Sequence, residues 1–388
     1  MSLGYTITLV LLCGILSCSL AQPDGALTVA QRCERYGFGY EEYQITTEDG
    51  YINTLMRIPS TPGSQQAAGK PPLYFIHATP FSSEDFTARG PEDSPAFHFA
   101  NLGYDVWLNN WRGSIHSRGH VQYDPQTDHE YWNYDLVDMR YDLLADIMFI
   151  LNTTEYDRLS TYAFSMGGTT LAYAMAIEAE FFASRIGVAA LMATPISYAH
   201  TNNFNYAIAG NYPWILTLFG GNSGIYHGPG GLLDFVQRNI CAPFPTLCMI
   251  LGGQDPNSDD LEGFSNLMMQ GGRGESTRMT THFVQSARTG RVSYFDYGAQ
   301  GNLEVYGTEE APLIPLQNTD NPVALLYSEE DPGSNPIDIE QYIDLLGDNC
   351  VFYQYYDVTH TGFLVSENFP FYPDLEELYE TFRGEITV

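Results

Sequence analysis

Lysine is nearly missing from this chain: Lys70 is the single example in 388 residues. Arginine does little to offset the shortage, since 16 basic side chains stand against 47 acidic ones, a formal net charge of −31. Such a surface repels nucleic-acid phosphates and anionic membranes, which argues against both as partners. Its plain consequence is solubility and resistance to self-association. A more particular one is a working environment acidic or salty enough to protonate or screen many carboxylates. Long apolar runs are lacking as well. Leu9 to Leu16 is too short to span a bilayer, and no other segment qualifies as a transmembrane span. Charged residues are few at 16%, while 44% are hydrophobic, so the composition supports a full core and excludes disorder. The length fits one large α/β domain carrying an insertion, or two ordinary domains.

The short apolar stretch is followed by Ser19-Leu20-Ala21 before Gln22, the pattern of a secretory signal peptide over residues 1–21 cleaved after Ala21. The mature chain is then expected to be secreted, with the lysosomal lumen as the alternative. Cysteine is scarce too. Two of six, Cys13 and Cys18, lie in the signal, and Cys33, Cys241, Cys248 and Cys350 remain, allowing three pairings in an oxidising compartment. Cys241 and Cys248 flank a proline-containing turn, and closing so short a loop costs little entropy, so they are the expected bridge. Asn152-Thr153-Thr154 is the single glycosylation sequon.

Along the chain, a short N-terminal helix precedes a hairpin over Tyr43 to Arg57 that turns at Glu48-Asp49-Gly50. Ser60 to Lys70 is a polar loop. Pro72 to Ile76, Asp105 to Leu108, Leu159 to Phe164 and Gly187 to Met192 read as buried strands. Tyr141 to Leu151 reads as a helix with Leu143, Leu144, Ile147, Met148 and Leu151 on one face, and Thr169 to Phe182 as another. Strands alternating with helices imply a largely parallel sheet covered on both faces. The rhythm breaks between about Ser197 and Asp320, a stretch rich in Gly, Asn and aromatics that reads as an inserted, mainly helical cap. Its apolar run Tyr212 to Phe219 suits a lid helix or the cap's own core. The sheet resumes with Val323 to Tyr327 and Val351 to Tyr356, and a helix follows around Leu375 to Phe382. The division is therefore 22–196 and 321–388 for the core and 197–320 for the cap.

Ser165 sits in Ala163-Phe164-Ser165-Met166-Gly167, between a strand and a helix, the layout of a nucleophile elbow. Such a turn brings the strand and helix backbones close, so positions two before and two after the serine must be small, and Ala163 and Gly167 are. A serine hydroxyl attacks only when a base takes its proton and a third group orients that base. His360 lies beyond the last strands. Asp331 follows the strand Val323 to Tyr327, with Glu330 and Asp357 as rivals for the acid. Serine, acid and histidine thus occur in α/β-hydrolase order, each in a loop at the carboxyl end of a strand. Donors for the tetrahedral oxyanion are expected from the backbone N–H of Met166 and, in the loop His77-Ala78-Thr79-Pro80, that of Thr79.

The chain resembles the acid lipases, the group containing gastric lipase and lysosomal acid lipase. The stretches that carry the likeness are Tyr36-Gly37-Phe38, Thr47-Glu48-Asp49-Gly50-Tyr51-Ile52, Gly103-Tyr104-Asp105-Val106-Trp107-Leu108 and Asn110-Trp111-Arg112-Gly113. Tyr131-Trp132, Tyr141-Asp142-Leu143, the elbow and the loops bearing Asp331 and His360 continue it. The resemblance implies an α/β-hydrolase with a cap over an acyl-binding cleft. It also implies hydrolysis of triacylglycerols or steryl esters at acidic pH, with Ser165 as nucleophile, His360 as base and Asp331 as its orienting acid. The implied partner is a lipid ester substrate, at an interface or in a cleft under the cap, and no cofactor or metal is implied.

Departures stand beside the likeness. The family has His-Gly in the oxyanion loop where this chain has His77-Ala78, and a glycine conformation closed to L-residues would make Ala78 distort the hole. The family favours Asn-His-x-Asp-Phe at the histidine; here the run is Thr359-His360-Thr361-Gly362-Phe363. These differences motivate a second reading, a catalytically impaired secreted relative with a lipid-binding, structural or storage role. Other signals carry less. His116 and His120 have the spacing of a metal pair but no further ligand cluster. Asp255 to Asp260 lacks the glycine and closing glutamate of an EF-hand and reads as a solvated acidic loop. Arg112, just after a buried strand, reads as structural.

Overall fold

The computed structural model describes residues 24–64, 70–79, 81–201, 225–226, 231–252, 254–270, 274–328 and 331–386. Residues 1–21, the run Tyr212 to Phe219, Pro80 and Glu330 lie outside the described residues. A nine-stranded mixed sheet organises the chain. Its strands are β1 (Glu41–Thr46), β2 (Tyr51–Ile58), β3 (Pro72–Ile76), β4 (Asp105–Leu108), β5 (Gly119–His120), β6 (Leu159–Phe164), β7 (Ile186–Met192), β10 (Val323–Tyr327) and β11 (Cys350–Tyr355). Between the last two groups, β8 (Ile225–Tyr226) and β9 (Glu275–Ser276) pair with each other in a separate ribbon. The order across the main sheet is β1-β2-β4-β3-β6-β7-β10-β11, with β5 added beside β2. The pairs from β4 through β11 are parallel, and β2 is antiparallel to β1 and β4.

The expected hairpin forms with Glu41 opposite Arg57, and Gly50 takes a φ of 95° in its turn, a conformation only glycine adopts cheaply. β3, β6 and β7 are buried at every position. Helices on both faces leave a central parallel strand no solvent side, which is why β3 and β7 read as unbroken apolar runs and β6 departs from one only at Ser160 and Thr161.

The helices of the core are α1 (Val29–Tyr36), α2 (Pro95–Asn101), α3 (Arg140–Thr154), α4 (Met166–Ile177) and α5 (Ala179–Ala183). One long expected helix after the elbow is thus two, broken at Glu178. Between β7 and β10 come α6 (Leu232–Val236), α7 (Pro245–Leu251), α8 (Leu261–Gln270), α9 (Thr277–Thr289) and α10 (Gly298–Tyr306); α11 (Pro336–Leu346), α12 (Gly362–Val365) and α13 (Tyr372–Thr381) follow β10 and β11. None of the helices among the described residues is long and apolar enough to cross a membrane.

The buried face of α3 differs from the one its hydropathy suggests. Met148 is 39% exposed, while Asp142 and Asp146 are buried beside Leu143, Ile147 and Ile150. Both carboxylates have partners that hydropathy does not register. Asp146 accepts a hydrogen bond from the Tyr74 hydroxyl at 2.6 Å, and Asp142 takes Arg112. Arg112 is fully buried, bonded to Asp142 through Nε and Nη2 and to Asp49 through both terminal nitrogens, with Tyr51 under its plane at 4.0 Å. It therefore clamps the β1–β2 turn to α3.

Candidate active site

Parallel register decides what meets at the carboxyl edge of the sheet. Phe164 lies opposite Met192, and Met192 opposite Leu326; Tyr327 in turn pairs with Tyr355. The residues that leave these strands, near 165, 193, 328 and 356, emerge side by side. The ladder continues one step past the strands, with Ser165 N–H donating to Met192 O, Ala193 N–H to Leu326 O and Tyr356 N–H to Tyr327 O.

Ser165 is the sharp corner between β6 and α4. Its backbone sits at φ 51° and ψ −122°, a strained setting for an L-residue, and is pinned by its N–H bond to Met192 and by Thr169 N–H on its own carbonyl. Gly167 shows why the corner needs small residues. A Cβ there would lie 2.5 Å from the carbonyl oxygen of Ile76 and 2.7 Å from that of His77. Gly168, which sequence reasoning passed over, is equally constrained, because a Cβ would collide with Thr194. The helix start is thus seated against the end of β3, next to the loop that carries Thr79. Met166 opens α4, so its N–H has no acceptor within the helix.

Ala78 does not take the conformation that its glycine counterpart raised as a concern. Among the described residues other than glycine, positive φ occurs at Glu155, Ser165, Ala193 and Phe369. The loop is held instead by His77, which is 1% exposed. Its Nδ1–H donates to Ala78 O at 2.6 Å and its Nε2 accepts from Trp111 N–H at 3.2 Å, while the Trp111 indole donates to His77 O. Burial pushes the His77 pKa down to about 4, so the ring stays neutral and this pattern persists at mildly acidic pH. The Thr79 hydroxyl engages the buried Glu275 carboxyl on β9.

On the other side of Ser165, Asp331 is 2% exposed and fully committed. Its Oδ1 accepts from Gly333 N–H at 2.7 Å and Ser334 N–H at 3.1 Å, and its Oδ2 receives His360 Nδ1–H at 2.7 Å. Ser334 Oγ–H in turn bonds Thr194 O, tying this loop to the one beside the elbow. With Nδ1 donating to the carboxylate, Nε2 of His360 carries the lone pair a base needs. The His360 ring also packs 5.1 Å, centroid to centroid, from Phe164, the residue just before the serine. Burial opposes the charged imidazolium, yet the Asp331 carboxylate, joined by Asp259, raises the pKa above the ordinary histidine value. Asp357 is exposed, and Asp331 holds the ring nitrogen for which the two were rivals.

The remaining sites fall as follows. Cys241 and Cys248 form the expected disulfide at a Cα separation of 5.3 Å, whereas Cys33 and Cys350 are free thiols. Asn152 is exposed in the last turn of α3. His116 pairs with Glu84, and His120 Nδ1 accepts from Gln122 and Tyr123 N–H groups. The segment from Asp255 to Asp260 is not the solvated loop it resembled. Asp259 is 1% exposed and bonded by Thr359 and Thr361, and Asp260 pairs with Arg89 at 2.8 Å. Its acidic composition hid this, because Thr359 and Thr361 lie about a hundred residues on and Arg89 farther back still.

Comparison with known proteins places the chain. Residues 71–219 match the family described as the alpha/beta hydrolase fold, and residues 29–90 match a partial alpha/beta-hydrolase lipase region. The chain has the α/β-hydrolase fold and is a serine ester hydrolase. Within that class the chain is similar to the acid lipases. It is 28% identical to human lipase member K over 93% of each chain, and 28% identical to mouse gastric triacylglycerol lipase over 84% of each. Among solved structures, an esterase from Thermogutta terrifontis superposes with a TM-score of 0.51 over 88% of this chain and 99% of that one, at 13% identity. DcsB in complex with its substrate analogue gives 0.53 over 89% and 98%, again at 13% identity. Likenesses at that level speak for the fold alone.

Proposed function

We propose that this protein hydrolyses lipid esters, triacylglycerols or steryl esters, through Ser165, His360 and Asp331. The observation that carries the reading is the 2.7 Å bond between Asp331 and His360 Nδ1, on the same sheet edge as a strained serine at a strand-to-helix corner. His360 Nε2 takes the Ser165 proton as Oγ attacks the ester carbonyl carbon, and the carbonyl π electrons move onto oxygen. The N–H groups of Met166 and Thr79 receive that oxyanion. The tetrahedral adduct collapses, the alcohol leaves with the proton from His360, and Ser165 keeps the acyl group. Water, deprotonated by the same imidazole, then attacks the acyl carbon and regenerates Ser165 with release of the fatty acid. Asp331 stabilises the imidazolium formed in each half-reaction without itself being protonated.

Residues 197–320 act in this reading as a cap, and the acyl chain lies beneath it. The N-terminal apolar stretch, the Cys241–Cys248 bridge and the exposed Asn152 support a secreted protein. The relatives named for triacylglycerol support the substrate class. The test measures turnover of a short-chain nitrophenyl ester and of an emulsified triacylglycerol, at acidic and neutral pH, by the wild type and Ser165→Ala. The variant is expected to lose on the order of 10⁶-fold in kcat. An organophosphate should label the wild type alone. Full turnover by Ser165→Ala refutes the assignment, and an inert wild type favours the binding or storage role.

A further inference from the structure

The loop that carries His360 is gripped from outside the sheet. Thr359 Oγ–H and Thr361 Oγ–H both donate to Oδ2 of Asp259, each at 2.7 Å, so the residues on either side of the histidine share one carboxylate oxygen. Thr361 also lies 2.7 Å from Gln254 Oε1. The backbone joins in. Asp259 and Ser366 form an antiparallel bridge, and Asp260 N–H donates to Val365 O at 2.8 Å. The other oxygen, Oδ1, is buried and has no hydrogen-bond partner among the described residues. It faces Gly362, where an added Cβ would come within 3.0 Å of it. The catalytic reading assigns no task to Asp259, and sequence composition placed it in solvent.

We infer that Asp259 is a positioning residue for His360: it holds Thr359 and Thr361 in place and gives the imidazole a second negative neighbour besides Asp331. The proposal rests on the catalytic reading for its purpose, though not for its measurement. A carboxylate on both flanking hydroxyls fixes the backbone at the histidine itself, so the loop shifts only if two bonds break together. An unpartnered, desolvated oxygen would be costly for a merely structural cap. Burial raises the Asp259 pKa against the pull of the two threonine bonds and of His360, so the charge is present above that raised value, and the imidazolium beside it is the cation it meets there. The charged groups facing His360 are Asp331 and Asp259; those facing Asp259 are His360 and Asp260, the latter already matched by Arg89. Asp259 and Asp331 both raise the His360 pKa, so neutralising Asp259 lowers it, and the base form persists to lower pH.

The experiment is an NMR titration of the His360 imidazole, assigned by its loss in His360→Ala, in wild type and Asp259→Asn. The pH dependence of kcat/KM on a soluble ester is measured alongside. Asp259→Asn is expected to move the His360 titration, and with it the acidic limb of kcat/KM, down by roughly half a pH unit or more. Its kcat should fall about tenfold or more at unchanged KM. Asp259→Glu, which keeps the charge, is expected to move the titration less. An imidazole titration that coincides in wild type and Asp259→Asn overturns the inference, whatever happens to kcat. Should Asp259→Asn fail to fold, Thr361→Val keeps the carboxylate but removes one of its donors. With the carboxylate retained, the His360 titration is expected not to fall, while kcat drops several-fold at unchanged KM because half the grip on the loop is gone. A downward titration shift or an unchanged kcat overturns the inference. The titration needs no turnover, so a wild type without esterase activity strikes at the proposed function and leaves this measurement standing.

Discussion

Glu275 offers a sharp test of the electrostatics around the oxyanion loop. Its carboxyl is buried on β9, with Thr280 Oγ at 3.2 Å and the Thr79 hydroxyl as partners, and its Oε2 has no partner among the described residues. Burial raises its pKa from 4.5 to about 7, against the smaller opposing effect of the two threonine bonds. The folded protein therefore holds a proton that the unfolded chain has released, so stability falls as pH rises between about 4.5 and about 7. Each pH unit in that window is worth roughly 1.4 kcal/mol, and the loss across it is about 3 kcal/mol. Glu275→Gln is neutral throughout and lacks this slope. Urea denaturation of both proteins at pH 4.5 and pH 7.5 isolates the contribution of this one carboxyl, since every other titrating group is common to the pair. The variant is expected to gain about 3 kcal/mol relative to wild type on going from the acidic to the neutral condition. Parallel stabilities at the two pH values would refute the reasoning, and so would a gain on the acidic side.

Two further substitutions test the frame around the site. Gly167→Ala puts a methyl group against two backbone carbonyls that do not yield as side chains do; a stability loss of about 1–3 kcal/mol by thermal melting is expected, with kcat down about a hundredfold. Unchanged kcat would mean the elbow is looser than its contacts imply. Arg112→Met leaves Asp49 and Asp142 without their shared cation, so a loss of about 3–5 kcal/mol in denaturant at pH 7 is expected, with KM little changed in whatever remains folded. A variant as stable as wild type contradicts the clamp.

Much of this was legible in the sequence, and for identifiable reasons. Central parallel strands are mostly apolar, so β3, β4, β6, β7 and β10 stood out as runs despite Asp105, Ser160 and Thr161, and the residues that leave them had to share an edge. Chain order and chemistry pointed to Asp331 and His360, which the fold brings into contact, and to Ser165, which it sets at a strand-to-helix corner. What escaped has one cause, contacts distant in sequence. Asp142 and Asp146 sit on the inner face of α3 because Arg112 and Tyr74 meet them there. Asp259 looked like solvent-facing turn chemistry because Thr359 and Thr361 are about a hundred residues on. Gly168 is explained only by Thr194, which no local pattern brings to it. The altered run Thr359-His360-Thr361-Gly362 suggested impairment, yet both hydroxyls are bonded in the fold and an added Cβ at Gly362 would crowd Asp259 and Val358. Ala78 looked like a defect because a glycine precedent says nothing about the backbone angle this chain adopts.

β7 and β10 lie shoulder to shoulder, although residues 193–322 intervene between them. The chain leaves the sheet at its carboxyl edge and re-enters the adjoining parallel ladder from the opposite edge, so the excursion makes one crossover about a strand length long. A crossover between two strands already paired with each other can be lengthened, trimmed or exchanged without altering the spacing of those strands. Selection on substrate preference could therefore act on that stretch alone while the serine and the Asp331–His360 pair keep their places. Asp259 and Glu275 set the limit: both belong to that stretch, yet one bonds the threonines beside the histidine and the other the Thr79 hydroxyl, so any replacement must carry both carboxylates along.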